Sequence, residues 1–229
     1  MVSTILPLAS KKMDDSRSAT ADRLLDAAVE AFAESGYKGA TVRDICQRAG
    51  ASLNAVNYHF GDKQQLYVQA VKASHRRIRT APGIDVVDQI AERFDGDPEQ
   101  RLRAFVHGMV AMAMAVEQRT DACHQLMFRE IGKPTIATEQ IVREFIKPQF
   151  ERLTHILQAL LPPDADRLRI RLLALSVIGQ CLHYKFAAPI LPLLLSKSEQ
   201  RQLTVERVAE HITGVVLAAV ATPPESEAD

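Results

Sequence analysis

The chain has 229 residues, of which 47% are hydrophobic and 24% charged, with equal numbers of basic and acidic side chains. This length and composition suit a soluble globular protein with a hydrophobic core. We expect neither a membrane helix nor a signal peptide, because no apolar run approaches about 18 residues and the mildly apolar start precedes Lys11 and Lys12 rather than following them. Three widely spaced cysteines predict no disulfide framework, which favours the cytoplasm.

The charges are unevenly distributed along the chain. Residues 1–80 contain 12 Lys and Arg against 8 Asp and Glu, a net charge of +4, whereas the remainder contains 16 against 20, a net charge of −4. A basic N-terminal part on an acidic body favours a polyanionic partner for the N-terminal part.

Hydrophobic periodicity predicts an all-α chain of about nine helices. No segment alternates apolar and polar residues between turn signals, so no strand is expected. Residues 187–200, interrupted by prolines, are expected to form a loop, and residues 84–97 a connector. The apolar part of the loop, residues 190–195, is expected to pack rather than to touch a membrane. The helices are predicted at residues 18–35, 41–49, 52–60, 62–79, 98–118, 121–131, 138–161 with a kink at Pro148, 164–186 and 203–221.

The second and third predicted helices form a helix-turn-helix pattern. Both are short, and Gly50-Ala51-Ser52 makes a tight turn between them. The second helix of such a pair can enter the major groove of DNA. Val56 and Phe60, four residues apart, are predicted to anchor this reading helix to the protein, leaving its other side and N-terminal part for base edges.

Polar and small side chains around the reading helix are the candidate DNA contacts. Asn57 can donate and accept hydrogen bonds, so it suits an adenine or a phosphate, and Leu53 and Ala55 suit a thymine methyl group. The alternatives of packing for Tyr58 and helix capping for His59 remain open, as does the absence of any base contact by Leu53. The complete set of predicted DNA-binding residues is Thr41, Arg43, Ser52, Leu53, Asn54, Ala55, Asn57, Tyr58, His59 and Lys63.

The stretch from residue 41 to residue 63, TVRDICQRAGASLNAVNYHFGDK, resembles the DNA-binding domain of the TetR family. Two positions depart from the common pattern, with Asn54 for Gly and Asn57 for Tyr. The sequence NYHFG, together with FREIGKPT at 128–135 and IKP at 146–148, is similar to the CecR-like branch. The resemblance implies a dimer that represses transcription by default and is relieved by a small molecule bound in the C-terminal domain. The matching positions are Thr41, Ala49-Gly50, Ser52, Tyr58-His59-Phe60 and Lys63.

The eighth and ninth predicted helices are expected to form the interface of a homodimer. Residues 172–182 are apolar almost all round, so one neighbouring layer cannot cover them, and the ninth helix adds an apolar stripe. Val177 and Ile212 are expected in the seam between protomers. Pairing across a two-fold axis would place two reading helices in successive major grooves, about 34–36 Å apart, on an inverted-repeat operator of double-stranded DNA.

These predictions divide the chain into four parts. Residues 1–16 are expected to be a disordered tail, in which Met13 is an alternative start, and residues 222–229 a second disordered tail. Residues 17–63 are the predicted helix-turn-helix domain, and residues 64–221 the helical ligand-sensing and dimerisation domain.

A mostly apolar effector pocket is predicted in the C-terminal domain, with core packing of the same residues as the alternative. Cys181 and His183, two residues apart, lie on different helix faces and predict no metal site. No catalytic or cofactor-binding motif is found, so no cofactor is expected. A helical small-molecule-binding module or enzyme with an incidental helix-turn-helix remains the alternative function. The predicted pocket residues are Met109, Met112, Phe128, Phe145 and His183.

Overall fold

A computed structural model describes residues 8–79, 97–114 and 122–222, with side chains from residue 18 onward. Every regular element within these ranges is helical, as predicted. The connector at 84–96, residues 115–118 of the fifth predicted helix and the tail at 223–229 lie outside the described residues. The helices are α1 (Leu8–Gly39), α2 (Val42–Ala49), α3 (Leu53–Phe60), α4 (Lys63–Arg79), α5 (Pro98–Met114), α6 (Ala122–Gly132), α7 (Thr138–Ile141), a π-helical turn (Val142–Ile146), α8 (Lys147–Leu160), α9 (Arg167–Ala187), α10 (Leu191–Leu194), α11 (Lys197–Gln200) and α12 (Val205–Ala221).

Short polar side chains start several of these helices where the sequence predicts a start. The Thr41 hydroxyl accepts a hydrogen bond from the Asp44 N–H (3.1 Å), and an Asp62 carboxylate oxygen accepts one from the Gln65 N–H (2.7 Å). Asp166 caps α9 and Thr204 caps α12 in the same way. Each cap satisfies an N–H group that has no partner within its own helix.

Two helical regions differ from the prediction. α1 begins at Leu8, so it extends into the segment expected to be a disordered tail, and it is kinked at Gly36, where φ is +70°. The seventh predicted helix is divided by the π-helical turn that ends just before Pro148. Proline lacks an N–H and its ring crowds the carbonyl one turn earlier, so regular α-helical hydrogen bonding fails there.

The helices pack as two compact units. The first groups α1 to α4 with α6 and α7, and the second groups α5 with α8 to α12. The functional boundary predicted at residue 63 stays a prediction, since packing assigns α4, α6 and α7 to the same unit as the three N-terminal helices.

The core of the first unit surrounds α1. Leu24 and Phe32 are fully buried, as their helical spacing predicts, and α1 contacts α2, α3 and α6. The Tyr67 ring of α4 meets the Phe32 ring edge-on, with centroids 4.8 Å apart. Arg129 of α6 donates a hydrogen bond to the Glu34 carbonyl (2.8 Å). α6 is therefore part of the scaffold that supports the helix-turn-helix.

The core of the second unit lies among α5, α8, α9 and α12. Val177 and Ile212 belong to it and are 0% and 1% exposed. Their predicted location in a seam between protomers is therefore wrong, because the protomer's own helices cover them.

The segment between α9 and α12 also differs from expectation. It contains the one-turn helices α10 and α11, and Leu193 of α10 is 83% exposed, so the expectation that residues 190–195 form a packed loop is wrong for this side chain. Within the described ranges, no helix is both long enough and apolar enough to cross a bilayer.

Candidate nucleic-acid interface

The turn between α2 and α3 depends on a left-handed glycine. Gly50 has φ +59° and ψ 40°, a conformation that L side chains rarely adopt. This turn lets the Ala51 N–H donate to the Cys46 carbonyl (2.9 Å) and the Gly50 N–H to the Gln47 carbonyl (3.3 Å). Both bonds satisfy carbonyls at the end of α2, which fixes the direction in which the chain enters α3.

α3 is anchored by one side, as the sequence predicts. Val56 is fully buried, Phe60 is partly buried, and α3 contacts both α1 and α2. The Cys46 thiol donates a hydrogen bond to the Ser52 carbonyl (3.5 Å), and burial raises the pKa of this thiol, so it keeps its proton. These contacts fix the start of α3 to α2.

The opposite side of α3 is open to solvent. Leu53 is 54% exposed and Tyr58 66% exposed, and Asn54 and Asn57 are also exposed. With about 100° between successive residues of a helix, Asn54 and Tyr58 point away from Val56, and Leu53 and Asn57 flank it. The surface combines amide groups, one apolar side chain and a phenol, which are groups that contact base edges and phosphates.

The remaining predicted contacts lie around this surface. Thr41 and Ser52 are exposed at the starts of α2 and α3, and the Ser52 hydroxyl forms no capping bond. Arg43 is exposed and, in the described part of the chain, forms no ion pair. The Lys63 ammonium group lies 4.9 Å from the centre of the Tyr37 ring, which restrains it at the first turn of α4.

Ala55 and His59 are less accessible than the other candidates. Both are partly buried, and the His59 ring meets the Tyr58 ring edge-on with centroids 4.9 Å apart. His59 therefore supports the orientation of Tyr58, whichever role either side chain has toward DNA.

Other arginines of the first unit brace the scaffold. Arg48 forms two hydrogen bonds with the Glu34 carboxylate (3.0 and 2.8 Å) and one with Asp44 (3.1 Å). These bonds lower the pKa of Glu34 and raise that of Arg48. Arg23 donates to the Ala49 carbonyl (3.3 Å) and Arg77 pairs with Asp26. Several arginines of this unit are therefore bonded within the protein, so the net charge counted from the sequence overstates the positive charge that is available to a partner.

Sequence reasoning missed a buried carboxylate behind the helix-turn-helix. Glu130 of α6 is 2% exposed, and its oxygens accept hydrogen bonds from the Tyr67 hydroxyl (2.6 Å), the Thr135 hydroxyl and N–H (2.9 to 3.1 Å) and the Thr138 hydroxyl (2.5 Å). Burial, followed by the bond to Glu130, raises the pKa of Tyr67. The available signal was the FREIGKPT stretch, which contains both Glu130 and Thr135.

The predicted pocket residues are distributed over both units. Met109 and Met112 of α5 and Phe145 of the π-helical turn are partly buried in the second unit, whereas Phe128 lies on α6 in the first. His183 is exposed on α9. That these residues line one cavity stays a prediction. Cys181 is fully buried, so it and His183 do lie on different faces of α9.

Comparison with known families assigns both parts of the chain. Residues 24–70 match the family described as bacterial regulatory proteins, tetR family, and residues 98–220 match the C-terminal domain of the HTH-type transcriptional dual regulator CecR. The second match covers more than half of the chain. The chain belongs to the TetR family. It is a DNA-binding transcriptional regulator, and regulators of this family bind operator DNA and act as dimers.

Individual TetR-family relatives agree with this assignment. The chain is 26% identical over 178 residues to the HTH-type transcriptional dual regulator CecR of Shigella flexneri, covering 71% of this chain and 74% of that protein. It is 32% identical over 77 residues to the HTH-type transcriptional repressor AcnR of Corynebacterium glutamicum, covering 34% of this chain and 41% of that protein. Its fold resembles that of a TetR-like transcriptional regulator from Rhodococcus sp. RHA1, with a TM-score of 0.57, 15% identity and coverage of 96% and 100%.

Proposed function

We propose that this protein is a homodimeric repressor that reads an inverted-repeat operator with α3 and is released by a small-molecule effector. The observation that supports it most is the division of α3 into a fully buried side at Val56 and an exposed side at Asn54, Asn57 and Tyr58. A helix seated in this way can enter a major groove without losing its contacts to the protein.

The exposed residues divide by chemistry into two roles. Asn54 points away from Val56, Asn57 and Leu53 flank it at exposed positions, and all three are assigned to base edges. Ser52 and Lys63, at the start of α3 and of α4, are assigned to phosphates, because a hydroxyl at a helix N-terminus and an ammonium group both favour phosphate oxygens. Thr41, Arg43 and the Tyr58–His59 pair are assigned to the flanking phosphates.

The dimer interface is assigned to α9 and α12. Leu168, Leu172, Leu175 and Phe186 of α9 are 54–61% exposed and recur at helical spacing, so they form one apolar stripe. Val215 of α12 is also exposed, and Gly214 beside it would allow a close approach of another helix. An apolar stripe of this length on a soluble protomer favours a partner, and a second copy suits the dimeric habit of the family.

Effector control requires that the effector favours one of two states of the protein. A typical coupling of about 1–3 kcal/mol changes operator affinity by about 5- to 150-fold.

The name of AcnR as a repressor supports repression here, and CecR is named a dual regulator. We place the protein in the cytoplasm, where operator DNA lies and where its three free, buried cysteines stay reduced. Family membership does not favour the alternative of an enzyme with an incidental helix-turn-helix.

Selection from a random DNA library tests the function. We expect wild-type protein to enrich an inverted repeat whose half-sites are about one helical turn of DNA apart, with binding that weakens steeply as salt rises. The double variant Asn54→Glu/Asn57→Glu should enrich no sequence, since it adds carboxylates to an exposed face without altering the core. Gln158→Glu, at an exposed position of α8, is the matched control. Failure of wild-type protein to enrich any sequence would refute the proposal.

A further inference from the structure

We propose that a cavity at the ends of α5 and α9 binds an amphipathic organic anion and that this anion is the effector. Such a ligand has an apolar body and one carboxylate, sulfonate or phosphate ester group. The effector role rests on the proposed function, whereas the binding site does not. The cavity lies entirely in the second unit and has a volume of about 520 Å³, within the range of small-molecule sites.

The polar side chains of this cavity are predominantly cationic. Lys185 lies on the last turn of α9, and Lys197 and Arg201 are one helical turn apart on and just after α11, so their side chains share a face. No carboxylate is found among the described residues that line the cavity. In the described part of the chain, Lys197 and Arg201 form no ion pair. Lys197 and Arg201 at one opening, with Lys185 lining the same cavity, favour an anion there.

A second cavity of the same unit has an acidic lining, so the positive charge is specific to the first cavity. It lies between the starts of α5 and α12 and is lined by Asp97, Glu99, Glu206 and Glu210, with Arg103 held by Glu99 at 2.6 Å. Among the described residues, the acidic body predicted from the charge count thus contains both an acidic and a basic cavity. Of these two, the basic one suits an anionic head group.

The interior of the basic cavity is apolar. Ala113 is buried, and Met114, Tyr184 and Leu203 pack against the core of the second unit. Leu191 of α10 adds a further aliphatic wall. Because Lys197 and Arg201 are exposed and these side chains lie inward, a ligand would place its charge at the opening and its apolar part against the core.

Occupation of this cavity is compatible with the proposed dimer. At about 100° per residue, Tyr184 is about 200° around α9 from Phe186, which belongs to the exposed apolar stripe. The cavity and the stripe therefore lie on opposite sides of α9. Contact with the core helices gives a bound anion a route to change the packing of the second unit.

Calorimetric titration of the full chain with matched probes tests the site. The probes are decanoate, decanol and decyltrimethylammonium, which share an alkyl chain and differ in charge, and 2-naphthoate as an aromatic anion. We expect at least one of the two anions to bind, and decanol and the cation to bind more weakly or not at all. The double variant Lys197→Glu/Arg201→Glu should weaken anion binding at least tenfold and strengthen binding of the cation. Arg143→Glu, an exposed charge reversal outside the cavity, should change neither.

Two results would overturn the site: binding of neither anion, or anion binding that the double variant leaves unchanged. Circular dichroism that matches the wild type keeps misfolding separate from lost binding. Fluorescence anisotropy with the selected operator then tests the role, since the bound anion should lower operator affinity of wild-type protein and not of the double variant. Anion binding without any effect on DNA refutes the effector role alone. Anion binding by a protein that binds no operator refutes the proposed function and leaves the site intact.

Discussion

Asn57 and Lys63 belong to the same candidate interface but differ in what they can recognise. The Asn57 amide donates and accepts hydrogen bonds in one plane and can pair with one base edge, whereas the Lys63 ammonium group is attracted to any phosphate. We expect Asn57→Ala to weaken operator binding by about 1–3 kcal/mol and to relax preference at one base position. Lys63→Ala should weaken binding to all sequences alike and reduce the salt slope by about one unit. Anisotropy titrations on operator and random DNA at several salt concentrations measure both.

The same titrations can contradict these roles. Equal losses on operator and random DNA for Asn57→Ala would show that Asn57 reads no base. Gln65→Ala, at an exposed position of α4 two residues after Lys63, serves as the control and should leave both affinities unchanged.

A second prediction concerns the hydrogen bond from Tyr67 to the buried carboxylate of Glu130. Tyr67→Phe removes the donor that α4 supplies and leaves a buried carboxylate with one hydrogen bond fewer. We expect the free energy of unfolding to fall by about 1–3 kcal/mol, as for other buried hydrogen bonds to charged groups. Urea denaturation followed by circular dichroism measures the change. Glu139→Gln, at an exposed position of α7, should have little effect.

Unchanged stability of Tyr67→Phe would show that Thr135 and Thr138 satisfy the Glu130 carboxylate without help from Tyr67. A loss equal to that of the exposed control would lead to the same conclusion. Either result would remove the assigned role of this bond in joining α4 to α6.

The turn between α2 and α3 depends on Gly50 because of its backbone conformation rather than its size. A Cβ added there would meet no described atom within 4 Å, so the cost of Gly50→Ala comes from φ +59° alone. We expect about 1–2 kcal/mol of lost stability and weaker operator binding, because relaxation of the turn would reorient α3. Thermal unfolding and DNA titration measure these effects.

Asparagine gives the matched control at this position, since it tolerates the left-handed region better than alanine. Gly50→Asn should retain more stability and more operator affinity than Gly50→Ala. If alanine and asparagine behave alike, the left-handed conformation is not what determines the direction of α3.

In the proposed dimer, two protomers assemble through the exposed stripe of α9. Leu172→Arg and Leu175→Arg should give folded monomers that lose specific operator binding, because an unpaired charge would be buried in the interface only when the dimer forms. Analytical ultracentrifugation and DNA titration measure the two effects. Gln158→Arg on α8 should remain dimeric.

Val177→Arg is unsuitable for this purpose, because Val177 lies in the protomer's own core and a charge there disrupts folding before it affects assembly. Normal dimers of Leu172→Arg and Leu175→Arg that still bind operator would locate the interface elsewhere.

Local sequence was sufficient for the helices and for the helix-turn-helix. Caps such as Thr41 and Asp62, the turn at Gly50 and the buried position of Val56 follow from interactions within a few residues, so a single stretch of sequence contains them. The family resemblance rested on the same kind of contiguous stretch, and the family assignment agrees with it.

Long-range packing decided the features that the sequence left open or assigned wrongly. Residues 172–182 are apolar on most sides, and periodicity cannot tell which apolar side faces the protomer's own helices. The sequence therefore predicts Val177 in the seam, whereas Leu172 and Leu175 are the exposed residues. The bond between Tyr67 and Glu130 joins residues 63 positions apart, and Lys185 lines the same cavity as Lys197 and Arg201 because the chain folds back after α9. Contacts between distant segments depend on how helices pack, and that arrangement is a property of the folded chain rather than of any local pattern.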